Sequence, residues 1–134
     1  MPVTYRIVKE LELVHTVWDG VVTLEDGVKH NELLRTDPEF HPGMRQLSDA
    51  RGATSAVSGE GVRGLARHSA FGPDSQRAIV VSDDALFGVS RMYEAQAETA
   101  GEVRIFREVS EALTWLGVDE ASREEYGLCE SSGS

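Results

Sequence analysis

The sequence is short of several things, and each shortage closes off a class of function. Among 134 residues there is one cysteine, Cys129. A lone thiol cannot close an internal disulfide, so a reducing, cytoplasmic setting is expected. No stretch approaches the roughly 20 apolar residues that span a bilayer, so no membrane insertion is expected. The start, Met1-Pro2-Val3-Thr4-Tyr5-Arg6, has neither the basic residues nor the apolar run of a secretory signal. Basic residues are scarce: 13 Lys and Arg stand against 23 Asp and Glu, a formal net charge of −10. Nucleic acids and anionic lipid surfaces demand clustered cations, so neither is expected as a partner.

Catalytic and metal-binding signatures are missing too. The histidines at 15, 30, 41 and 68 lack metal-ligand spacing. His15 reads as a sheet residue with a satisfied hydrogen bond, His30 as part of an exposed helix face, and His41 as a loop residue. No Gly-Lys-Ser/Thr completes a phosphate loop, and no Gly-x-Ser-x-Gly marks a nucleophile elbow. No catalytic residue, metal or cofactor is therefore assigned, and an enzyme is the last-ranked reading.

What remains is one domain's worth of chain with an ordinary 40% of apolar residues. Thr4–Val8 and Leu11–Trp18 are rich in β-branched and aromatic residues and predict an antiparallel hairpin that ends at Asp19-Gly20. Thr23 is placed to cap a helix carrying Leu24, Val28 and Leu34, with Asp26 at the third helical position as an imperfect capping box. Asp37-Pro38 ends that helix. Met44–Asp49 predicts a third strand. Val62, Leu65, Ala66, Ser69 and Ala70 recur at helical spacing. Ala78–Val81 is a short apolar run of the kind found in strands covered on both faces. Ser82-Asp83-Asp84 then offers caps for a helix with Leu86, Val89, Met92, Tyr93 and Ala97 on its buried stripe. Val103–Arg107 is the last strand, followed by a helix with Val109, Ala112, Leu113 and Leu116 that Gly117 closes. Strands alternating with helices predict crossovers and a largely parallel sheet. Residues 1–118 are read as a single α/β domain. Residues 119–134 are read as an acidic, flexible tail in which Cys129 is incidental.

The segment Ser48-Asp-Ala-Arg-Gly-Ala-Thr-Ser-Ala-Val-Ser-Gly-Glu-Gly-Val62 raises the first functional question. It follows a strand and leads into a helix, which puts it at the carboxyl edge of the sheet, where open α/β folds bind ligands. Gly59 and Gly61 leave backbone N–H groups approachable near a helix start, which suits an anion. The plainer reading is that Ser58 caps the helix. Ser82 and Asp83 end the next strand at the same edge, and Arg107 follows the last one. Asp49, Arg51, Ser58, Gly59, Ser82, Asp83 and Arg107 are therefore the candidate ligand or anion site. Asp49 and Arg51 also read as a surface ion pair, and Ser82 and Asp83 as caps. Phe87 and Arg91 share a helix face. With Tyr93 they are candidates for an interface.

Pro42–Gly52, Phe87–Met92, Arg104–Arg107 and Ala112–Leu116, together with the order of elements, resemble the STAS domain, the fold of bacterial anti-sigma-factor antagonists. The likeness is closest to small stand-alone SpoIIAA-like proteins and spans about Val3 to Val118. It implies a mixed sheet of about five strands, an N-terminal hairpin plus mostly parallel strands, with about four helices. It also implies a non-enzymatic regulatory module with a protein partner, itself, or both. In antagonists that act as phospho-switches an Asp-Ser pair opens a helix. Asp49 matches the acid at the strand end, Gly52 the turn, and Ser58 the phosphorylated position. Val57 stands where the paired acid belongs, which argues against the switch. The alternative is a small-molecule or lipid-like ligand domain, since STAS-like folds resemble the CRAL-TRIO fold in topology.

Overall fold

The computed structural model describes residues 3–55, 69–96 and 101–128. The expected hairpin opens the chain: β1 (Val3–Val8) pairs antiparallel with β2 (Leu13–Val22). A single 3-10 turn at Lys9–Leu11 joins them, and Glu12 takes the left-handed conformation to complete the reversal. β2 does not stop at Asp19-Gly20. A register shift between Val17 and Asp19 absorbs these residues, with Gly20 at φ 74°, and pairing resumes through Val22. β3 (Arg45–Ser55) likewise runs on past Asp49, because the extension of β2 gives it a partner.

β2, β3, β4 (Gln76–Val81) and β5 (Glu102–Phe106) are mutually parallel, and the sheet order follows the sequence, β1-β2-β3-β4-β5. Val80 pairs with Asp49 on one side and Phe106 on the other, which puts these three in one row. Among the described residues the connecting helices are α1 (Leu24–Thr36) and α2 (Asp84–Gln96); α3 (Val109–Leu116) and α4 (Glu120–Glu125) follow β5.

Alternation along each strand sorts the core into two faces. Leu13, Leu47, Ala78 and Val80 pack with Val109, Ala112, Leu113 and Leu116 of α3. Val14 packs on the opposite face with Leu34 of α1, Met44, Ala70 and Phe71. Ala50, Ala53 and Val81 meet Leu86 of α2 there. The predicted caps form. Thr23 and Asp26 make the reciprocal capping box of α1, and Gly117, at φ 79°, ends α3. The phase predicted for α1 is wrong, however. Its buried residues are Gly27, His30 and Leu34, whereas Leu24 and Val28 are 43% and 44% exposed.

The segment from Asp119, expected as a flexible tail, is folded through Leu128. Asp119 accepts from the Ser122 N–H to cap α4, and Leu128 is buried with the α3 cluster. Its apolar anchors, Leu128 and the partly buried Tyr126, lie beyond a polar helix, so composition alone concealed them. Cys129 lies outside the described residues.

Gly101 shows how tightly the β4 and β5 starts are joined. At φ 104° it lies against the Gly72–Ser75 turn, and Glu102 N–H donates to the Ser75 carbonyl. An added Cβ would sit 2.6 Å from the Ser75 carbonyl oxygen and 2.8 Å from that of Gly72. Gly101→Ala combines backbone strain with backbone overlap, so it is expected to destabilise the fold by more than about 2 kcal/mol. Urea unfolding measures this directly, and a loss below about 0.5 kcal/mol would show that the turn yields freely.

Candidate functional site

A sheet covered on both faces ordinarily presents apolar side chains to its helices. Here the face under α1 and α2 carries buried Thr16, Gln46, Ser48 and Arg77. Gln46 and Arg77 are register partners on β3 and β4, and Thr16 pairs with Ser48 across β2 and β3. The polar residues therefore form a continuous patch across three strands. Above it lies a cavity of about 150 Å³. Its apolar walls come from Ala50, Ala53, Phe71, Ile79, Leu86 and Val89. Its polar lining comes from His30, Gln46, Ser48, Arg77, Ser90 and Tyr93.

Arg77 is 4% exposed. Its guanidinium lies 4.9 Å from the Phe71 ring centroid and 5.4 Å from that of Tyr93, which supplies cation–π attraction. Nη1 donates to Ser69 Oγ at 3.2 Å and to the Tyr93 hydroxyl at 2.8 Å. Nε and Nη2 are buried and have no hydrogen-bond partner among the described residues. Among the described residues no carboxylate pairs with this cation.

His30, expected on an exposed face, is 4% exposed and packs between Tyr5 and Trp18, at ring distances of 5.5 and 5.3 Å. Its Nε2 lies 3.2 Å from Thr16 Oγ1 and 3.5 Å from Gln46 Nε2. Gln46 Nε2 also donates to Thr16 Oγ1 at 2.9 Å. That network assigns Nε2 as the acceptor and leaves the ring proton on Nδ1, which is buried and unpartnered. Burial lowers the His30 pKa to about 4. Trp18 completes the patch by donating from Nε1 to Ser48 Oγ at 2.6 Å.

The other predicted residues fall into separate groups. Arg51 grips Asp49 through both Nε and Nη2, each bond 2.9 Å long. Burial pushes the Asp49 carboxyl up, but the Arg51 side-chain and backbone hydrogen bonds and nearby positive charge outweigh it, leaving the pKa below the ordinary value. The pair lies mid-strand, on the sheet face opposite the cavity, with Asp49 beside Val17 and Val80 in register. His15 is on that face and accepts from Arg6 Nε at 3.4 Å, the hydrogen bond expected of it. At the rim, Asp83 Oδ1 accepts from the N–H groups of Ala85 and Leu86 and caps α2. Arg107 donates to the Ser82 carbonyl and to Asp84, and lies 4.4 Å from the Phe87 ring centroid. Arg91 is exposed and reaches Glu94 at 3.5 Å. Tyr93, an interface candidate, instead points its hydroxyl inward to Arg77. His41 pairs with Glu12 at 2.8 Å, as a loop histidine can. Ser58, Gly59 and His68 lie outside the described residues.

No protein-family model matches the chain, and no curated protein matches it either. Among solved structures, a protein of the DUF3478 family from Shewanella loihica, described as uncharacterised with a SpoIIAA-like fold, aligns over 85% of this chain and 93% of its own. The identity is 21% and the TM-score 0.55. The fold is SpoIIAA-like. The five-stranded mixed sheet and the hairpin-first order expected from the sequence are those of this fold. Among the described residues no helix is long and apolar enough to cross a membrane.

The residue most missed by sequence reading is Arg77. It directly precedes the apolar run Ala78–Val81, and the two-residue period places it with Ile79 and Val81 under α2. A charged residue on the inner phase of a covered strand was the available signal.

The neutral His30 makes folding sensitive to acid. Between pH 6.5 and about 4 the unfolded chain binds a proton at this ring that the folded chain does not. Stability is thus full above pH 6.5 and falls as pH drops through that window, by about 3 kcal/mol for a shift of this size. His15 acts in the same direction, since burial and the Arg6 charge lower its pKa as well. Urea midpoints at pH 7 and pH 4.5 should differ accordingly, with a smaller difference in His30→Gln. Equal midpoints in the wild type would show that His30 is protonated in the folded state.

Proposed function

We propose that this SpoIIAA-like protein is a non-enzymatic binding module that takes a small, mainly apolar molecule between α1, α2 and the sheet. The observation that carries the reading is the cavity of about 150 Å³ over a patch of buried polar groups. A structural core closes such space, because voids forfeit dispersion contacts and reduce stability. A ligand site keeps it, with apolar walls for affinity and a few polar groups for orientation. The volume matches apolar cavities known to hold one benzene molecule. Benzene is therefore expected to bind and to shift the amide resonances of Ala53, Leu86 and Val89 in a ¹⁵N–¹H NMR titration. Ser90→Leu, which places a side chain into the space, should abolish those shifts while leaving the protein folded. No response of the wild type to saturating benzene would remove the reading.

A second reading, a regulatory module with a protein partner or a second copy of itself, draws on exposed apolar residues around the start of α1. Val21 is 61% exposed, and Leu24 and Val28 share a helix face in the open. Such residues anchor interfaces when grouped. Sedimentation equilibrium should then give a dimer mass that Leu24→Asp with Val28→Asp reduces to the monomer. A monomer for the wild type at high micromolar concentration would end the homodimer form of this reading.

A further inference from the structure

We propose that the occupant of the cavity is a small organic acid, a single-ring or short-chain carboxylate, whose carboxylate is received by Arg77; this rests on the cavity being a ligand site. Three observations converge on it.

The first is the kind of atom left unpaired. Arg77 Nε, Arg77 Nη2 and His30 Nδ1 are the buried side-chain polar atoms without a partner among the described residues. The two arginine atoms are donors whatever the protonation state, and the third is a donor in the tautomer that Thr16 and Gln46 select. A buried donor with no acceptor loses the hydrogen bond that water gave it. The missing complement is therefore a group rich in lone pairs. An ionised carboxylate has lone-pair acceptors on both oxygens and no donor.

The second is the geometry of the free edge. Nε–H and one Nη2–H lie side by side on a guanidinium and form the fork that takes two carboxylate oxygens. Arg77 uses Nη1 for Ser69 and Tyr93 and leaves this fork unfilled. The protein fills the same fork elsewhere: Arg51 Nε and Nη2 hold the two oxygens of Asp49 at 2.9 Å. Phe71 and Tyr93 hold the Arg77 plane in place, and because Nε and Nη2 are closed to a water molecule, a carboxylate reaches the fork only as the side chains around it give way.

The third is charge and space. A buried cation without an anion is unfavourable, and a ligand of charge −1 corrects that. The remaining lining combines apolar walls with the uncharged Gln46, Ser48, Ser90 and Tyr93 and has room for about one ring or a short chain. A phosphate would bring a second negative charge, and among the described lining residues Arg77 is the only Lys or Arg to meet it. A monoanionic carboxylate with an apolar body fits both halves of the site.

Titration calorimetry with benzoate, benzamide, hexanoate and hexanamide at pH 7 tests the assignment, with benzene as the neutral reference. At least one acid should bind about tenfold or more tightly than its amide. Arg77→Met should erase that preference and keep benzene binding. If benzene binds but neither acid exceeds its amide, the carboxylate assignment is overturned while the cavity remains a ligand site. If no probe binds, both fall. Should Arg77→Met fail to fold by circular dichroism, Arg77→Lys decides: it keeps the charge, lacks the fork, and is expected to lose most of the preference. Full retention of the preference in Arg77→Lys would overturn the role given to the fork.

Discussion

A guanidinium buried without a counter-ion is the constraint around which the α1 and α2 side of the molecule is arranged. Arg77 sits on the second most interior kind of position a sheet offers, an inward-facing site on a strand with neighbours on both sides. Its charge is met by ring faces, two hydroxyl groups and nothing ionic among the described residues. Beside it, Gln46 passes hydrogen bonds to Thr16 and His30. The polar patch then dictates what α1 can present. Gly27 and His30 face the sheet where a regular amphipathic helix would present larger apolar side chains, and only Leu34 is a conventional core residue on that helix.

The two faces of the sheet divide the work. Under α3 the packing is apolar and continuous, from Val8 and Leu13 through Leu47, Ala78 and Val80 to Leu116 and Leu128. Arg45 locks that side by donating to the carbonyl of Leu116 at 2.5 Å and to that of Leu11. Under α1 and α2 the apolar residues break into smaller groups around the cavity. Stability concentrated on one face frees the other to keep unpaired donors and open space, the usual compromise of a binding site. The contrast between two arginines makes the point sharply. Arg51 closes on Asp49 two residues away, whereas the same edge of Arg77 has no partner among the described residues.

Much of the architecture was legible because it follows from local rules. The hairpin, the Thr23–Asp26 cap, the Gly117 stop and the largely parallel sheet all rest on turn chemistry and alternation. Failures came where tertiary pairing overrode local signals. Asp19-Gly20 reads as a strand end, yet a bulge absorbs it because β3 has residues left to pair. His30 reads as part of an exposed face of α1, yet the sheet beneath that helix is polar and the face bearing His30 turns inward. Ser82 and Arg107 follow the ends of the neighbouring strands β4 and β5, whereas Asp49, expected at the same edge, lies mid-strand because β3 runs on to Ser55. The side chains at that edge are engaged with one another or with helix ends, whereas the unsatisfied groups lie deeper, at residues whose exposure a sequence does not display.

The most direct measurement is the side-chain Nε–H resonance of Arg77, assigned through Arg77→Lys and followed in ¹⁵N–¹H spectra as benzoate is added. A proton held by a carboxylate inside the protein should move downfield and exchange more slowly with water, with no such movement on adding benzamide. A resonance that stays fixed while benzoate saturates the protein would contradict an acid-receiving role for this buried cation.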